Sequence, residues 1–142
     1  LIDSASWAEL AGSAGGVLAH PAETYLAEVI AITGEPAEPK QVTRVTRATI
    51  GGTDMAQTIA WSISAMEHVT KATGQAGTVA TTAAGNMFQA KGFAGSDTAE
   101  ELDAARQTMN GDAEYQGMIA QAGADGLFVD GCVEEVVLFK MP

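Results

Sequence analysis

The chain has 142 residues, enough for one ordinary domain that buries roughly two-thirds of its unfolded surface. Its 18 acidic against 7 basic side chains give a formal charge of −11, which excludes nucleic acid and anionic membrane surfaces as partners, because both are bound by clustered cations. Apolar residues make up 46% but aromatics only 6%, so the expected core is thin and alanine-rich, and dimerisation would help it.

From the start of the chain, Ile2, Ser6, Trp7 and Leu10 form a short helical face that Gly12, Gly15 and Gly16 stop. His20-Pro21 marks a turn, and Thr24 to Ile32 alternates as a strand ending at Gly34. The proline-rich, charged segment Glu35-Pro36-Ala37-Glu38-Pro39-Lys40 reads as a linker. Gln41 to Ile50 is a Val/Thr-rich strand with Arg44 and Arg47 on opposite faces, broken by Gly51-Gly52. Thr53 or Asp54 then caps a helix with a core stripe of Met55, Ile59, Ile63, Met66 and Thr70, closed by Gly74. Thr78 to Ala83 and Met87 to Phe93 form an antiparallel hairpin around Ala84-Gly85-Asn86.

Ser96-Asp97 with Glu100 supplies a capping box for a helix whose buried stripe is Ala99, Leu102, Ala105 and Met109. Asp112 starts a short helix carrying Tyr115, Met118, Ile119 and Ala122, and Cys132 to Met141 alternates as the last strand. Residues 6–32 echo the second half of this stretch: Trp7 answers to Tyr115, Leu10 to Met118, Ala14-Gly15 to Ala122-Gly123 and Val17-Leu18 to Leu127-Phe128. The expected organisation is therefore a helix-and-strand remnant of a first copy at 1–34, a linker at 35–40 and a complete domain at 41–142. As the chain begins at Leu1 in mid-unit, sequence upstream of it is expected.

From Gln41 onward the order is βαββαβ, an α+β ferredoxin-like unit. Its antiparallel sheet carries helices on one face only, so a second sheet is expected to cover the other. The run Phe93-Ala94-Gly95-Ser96-Asp97, the helices from Leu102 to Tyr115 and the turn Gly126-Leu127-Phe128-Val129-Asp130-Gly131 resemble the dimeric α/β-barrel superfamily, in its NIPSNAP-like and antibiotic-biosynthesis-monooxygenase-like branches. The resemblance covers about residues 41–141, with 1–34 as a partial second copy. It implies a homodimer or pseudo-dimer built by sheet-to-sheet packing. Its members include cofactor-free monooxygenases, haem-binding enzymes and proteins without known activity, so it selects no chemistry, and no catalytic residue carries over.

Four side chains are candidates for ligand binding. Arg44, Arg47 and Gln89, with Lys91, lie on central strands, one face of which would line the space between two sheets, where a guanidinium can hold a carboxylate or phenolate in a bidentate fork. The plainer assignment has one arginine facing solvent and the other paired with Glu134 or Glu135. His68, the one histidine of the complete unit, titrates near neutrality and is a candidate base or ligand, although its place beside Glu67 puts it on an exposed or half-exposed helix face. Cys132 has no nucleophile or redox partner in sequence, and no spacing of His and Cys forms a metal signature. No cofactor is expected. The lone cysteine suits a reducing, cytoplasmic setting, and no apolar run is long enough to span a bilayer.

Two functions follow. One is a small-molecule-binding barrel, as a cofactor-independent monooxygenase-like enzyme acting on an apolar or aromatic ligand. The other is a non-enzymatic ligand-binding or assembly module with a filled interior. Whether the space lined by Arg44 or Arg47, Thr46 and Gln89 is hollow or packed discriminates them.

Overall fold

The computed structural model describes residues 26–140 except 36, 37, 39, 53 and 85–87. The readings placed on Trp7, on His20, on the first helix and at the tip of the hairpin lie outside the described residues.

Among the described residues five strands and three helices follow in the order β1 (Leu26–Thr33), β2 (Val42–Thr49), α1 (Met55–Thr73), β3 (Gly77–Ala84), β4 (Gln89–Ser96), α2 (Ala99–Gly111), α3 (Ala113–Ala124) and β5 (Glu134–Phe139). The strands form one antiparallel sheet in the order β1-β3-β4-β2-β5. Without β1 this is the strand arrangement of the ferredoxin-like βαββαβ unit expected from Gln41 onward. β1 extends it, pairing with β3 and tied to α1 by a 2.6 Å hydrogen bond between the Thr33 and Thr70 hydroxyls.

Cap chemistry explains where the helices begin. Asp54 caps α1 by accepting from the Gln57 N–H at 3.0 Å, and Gly74 ends it at φ +74, a left-handed conformation that costs glycine nothing, with its N–H donating to the Thr70 carbonyl. In α2 the cap is Thr98, not Ser96-Asp97: its hydroxyl accepts from Glu101 N–H, and the Glu101 carboxylate accepts from Asp97 N–H. The box is thus displaced from the expected one because Ser96 still belongs to β4, where it is buried and bonded to Gln75. Both later strands also begin later than expected, β4 at Gln89 rather than Met87 and β5 at Glu134 rather than Cys132.

Helices α1 and α2 pack on one face of the sheet, and α3 packs against both of them. The stripe Leu102, Ala105, Met109 of α2 is buried as its spacing predicts. That of α1 is rotated from the expected one: Thr58, Ala65 and Val69 are buried, whereas Met55 is 40% exposed. Small residues face the sheet here because β4 presents Ala90, Gly92 and Ala94 to the helices and the backbones come close. Between β2 and the loop after α3, an isolated bridge joins Ile50 to Phe128. Gly51 is required at this crossing, since a Cβ there would sit 2.8 Å from the Phe128 carbonyl carbon and the Val129 nitrogen.

Among the described residues no helix lies over the second face. At its centre Val45, Ala80 and Lys91 are buried, and toward its edges Val29, Ile32, Val136 and Leu138 are exposed. No helix among the described residues is long and apolar enough to cross a membrane.

Candidate functional site

Strand parity decides which side chains can meet. On β2, Arg44, Thr46 and Ala48 point toward the helices, while Val45, Arg47 and Thr49 point to the second face. The helix-facing set, with α1, α2, α3 and the Phe128–Gly131 loop, encloses a cavity of about 510 Å³, within the range of small-molecule sites. Its floor is made of small residues, Ala48, Ala65, Ala90, Gly92 and Ala94, which leave the space unfilled.

One wall is aromatic. Trp61 and Phe128 meet edge to face with ring centroids 5.3 Å apart, a favourable geometry that fixes both rings. The Trp61 indole N–H donates to the Met118 carbonyl at 3.2 Å, so α1 and α3 hold this wall together. The other wall and the mouth are polar. Arg44, Arg106, Asn110, Tyr115 and Glu135 all line the cavity. Arg106 lies 3.8 Å from Glu135 in a largely exposed ion pair. Among the described residues Arg44 makes no hydrogen bond or ion pair, although it is half-buried. Burial pushes the Tyr115 phenol above its ordinary pKa; Arg44 nearby works against that shift and Glu135 adds to it. Tyr115 therefore stays a neutral donor at physiological pH.

Behind this wall, the His68 ring stacks on Tyr115 at 6.2 Å and Nε2 donates to Asp112 Oδ2 at 3.0 Å. Asp112 in turn caps α3 by accepting from Tyr115 N–H at 2.8 Å. Bonding to that N–H and then to His68 holds the Asp112 carboxyl below its ordinary value. His68 does not line the cavity; it braces the residue that does.

Of the four sequence candidates, only Arg44 faces the cavity. Arg47 is on the second face, 2.9 Å from Glu134, the pairing that the plainer assignment allowed for one of the two arginines. Gln89 pairs with Thr49 and also points to the second face, where Lys91 donates to Thr82 at 2.6 Å. Trp61, Arg106, Tyr115 and Phe128 were not singled out as ligand-binding from sequence. Tyr115 had the strongest signal, since it follows the Asp112 cap by three residues and is thereby fixed on the first turn of α3. Cys132 is a free thiol at the bend before β5, 2.7 Å from the Val129 carbonyl. Among the described residues no three of His, Cys, Asp and Glu converge as a metal site.

Compared with known proteins, the sequence matches no family model and no curated protein. The structure is similar to that of a NIPSNAP family protein from Agrobacterium tumefaciens, at TM-score 0.57 and 15% identity over 78% of this chain and 95% of that one. It is similar also to a NIPSNAP domain protein from Burkholderia xenovorans (TM-score 0.59, 12% identity, 70% and 94% covered). A third likeness is to a ferredoxin-fold protein from Listeria monocytogenes that is related to antibiotic biosynthesis monooxygenases (TM-score 0.54, 12% identity, 85% and 68% covered). The chain has the ferredoxin-like fold. At these identities the likeness is one of fold, and chemistry is set by the side chains of the cavity.

Proposed function

We propose that this α/β-barrel chain binds a small apolar or aromatic molecule between its helices and its sheet, as a homodimer. The observation that carries the reading is the cavity of about 510 Å³, with the Trp61–Phe128 wall on one side and Arg44 and Tyr115 on the other. An interior that is hollow where Arg44 and Thr46 face it favours ligand binding over an assembly module with a filled interior. The exposed apolar side chains Val29, Ile32, Val136 and Leu138 support pairing through the second face. A reducing, cytoplasmic setting fits the free Cys132. The likeness to a protein related to antibiotic biosynthesis monooxygenases supports a catalytic variant of the same reading, in which dioxygen oxidises a CH2 group of the bound molecule to a carbonyl without a cofactor, one oxygen atom entering the product and the other leaving as water.

Native mass spectrometry of the purified protein, followed by calorimetric titration with 2-naphthalenemethanol, tests the proposal. Saturable binding at one site per chain, lost when Ala48→Leu intrudes on the cavity floor, is expected. Absence of binding to the unaltered chain, or binding indifferent to Ala48→Leu, overturns it.

A further inference from the structure

Arg44 is the feature of the cavity that folding leaves unexplained. Its place on β2 is fixed by pairing with Ala94 on one side and Val137 on the other, and all three point toward the helices. Arg44 is half-buried beside small and aromatic side chains, and among the described residues no acidic group pairs with it. Of the two acidic residues that line the cavity, Glu135 is 3.8 Å from Arg106 at the mouth, and neither it nor Asp130 forms an ion pair with Arg44. Cross-strand neighbours of Arg44 are apolar, whereas Arg47, three residues on, has its glutamate directly opposite. The same strand therefore carries one arginine with a partner built in and one without.

We infer that the ligand carries a carboxylate, which Arg44 binds with the Tyr115 hydroxyl as a second donor, while an aromatic body rests on Trp61 and Phe128. This rests on the reading that the cavity binds a small molecule, and adds the chemical class. A planar carboxylate matches the two-pronged guanidinium, and bonds between ionised groups shielded from water are roughly twice as strong as neutral ones. Burial keeps Tyr115 protonated, so its hydroxyl donates to the anion. His68 and Asp112 contribute as positioning residues, since the stacked imidazole and the α3 cap together set where the Tyr115 ring stands.

The test compares 2-naphthoate with 2-naphthalenemethanol, which share the aromatic body and differ in the charged group, by calorimetry on the full chain at low salt. The unaltered protein is expected to bind the carboxylate about tenfold or more tightly than the alcohol. Arg44→Met should erase that preference and keep alcohol binding, Arg44→Lys should retain part of it, and Lys71→Met, on the exposed end of α1, should change neither. Circular dichroism verifies that each variant is folded, and Arg44→Lys carries the test should Arg44→Met fail to fold. Equal affinity for both probes in the unaltered chain overturns the inference and leaves the cavity reading standing. So does a preference that survives Arg44→Met, or one that Arg44→Lys leaves undiminished if Arg44→Met does not fold. Binding of neither probe overturns both.

Discussion

His68 on α1 and Asp112 at the start of α3 are joined by a 3.0 Å hydrogen bond, and Asp112 is the residue that caps the helix carrying Tyr115. One contact thus sets the distance between two helices and the stance of a cavity-lining ring. His68 is half-buried, within the exposed or half-exposed helix face expected from its place beside Glu67, with its side chain 14% exposed. His68→Ala should therefore destabilise by about 1–2 kcal/mol, from a lost charge-assisted hydrogen bond and a lost ring contact. Urea denaturation of the variant measures it, and no change in midpoint would mean that the imidazole is merely a surface group.

The same cap makes stability depend on acid. The Asp112 carboxyl titrates below its ordinary value of 3.8 in the folded chain, so the unfolded chain takes up the proton more readily. Its stabilising contribution is fully present above that value and is lost as pH falls through the lower, folded-state pKa. Asp112→Asn still caps the helix but does not titrate. The stability difference between the two proteins should shrink as the pH is taken from about 5 toward 3 and below. A difference that grows with acid would reverse the assigned direction.

Met109, 3% exposed, closes the α2 stripe against the sheet and borders the cavity. Met109→Ala should cost about 2–4 kcal/mol by chemical denaturation. A loss below that of His68→Ala would contradict the placement of the α2 face.

Gly51→Ala tests the crossing at Phe128, where the new methyl group meets backbone rather than a movable side chain. A loss of about 1–3 kcal/mol is expected. Since the Phe128 ring belongs to the cavity wall, affinity for 2-naphthalenemethanol should fall along with the melting temperature.

Assembly is tested at β5. Light scattering after size-exclusion chromatography should show a dimer for the unaltered chain, and Val136→Asp with Leu138→Asp should shift it toward monomer by placing charge among exposed apolar side chains. A monomeric unaltered chain would remove the second face as a dimer surface.

Much of this architecture was legible in residue order. The Asp112 cap, the stripe Leu102, Ala105, Met109 and the glycine stop at Gly74 are local chemistry, readable within a few residues. Alternation on β2 also separated Arg44 from Arg47 onto opposite faces. Which face meets the helices is a property of the whole chain, because it depends on how α1 and α2 cross over the sheet, and no pattern within β2 contains it. The α1 stripe was misplaced for a related reason: Met55 and Ile59 are the more apolar residues, but the narrow Ala/Gly surface of β4 admits Ala65, and Thr58 is buried with its hydroxyl bonded to the Asp54 and Leu127 carbonyls. The cavity itself is a gap left by small side chains drawn from three elements, β2, α1 and β4, which a one-dimensional pattern does not record.

β2 pairs with β5 across about ninety residues of chain, from Val42 opposite Phe139 to Arg47 opposite Glu134. During synthesis the ribosome delivers β2 long before it delivers β5, so one flank of β2 waits with its amides and carbonyls unmatched. The hairpin β3–β4 and helix α1 can dock in the meantime, but the strand bearing Arg44 becomes interior to the sheet only when residues 134–139 emerge. The cavity between helices and sheet thus matures after every described helix has been made, and a pause before residue 134 leaves those helices on a sheet that still lacks one strand.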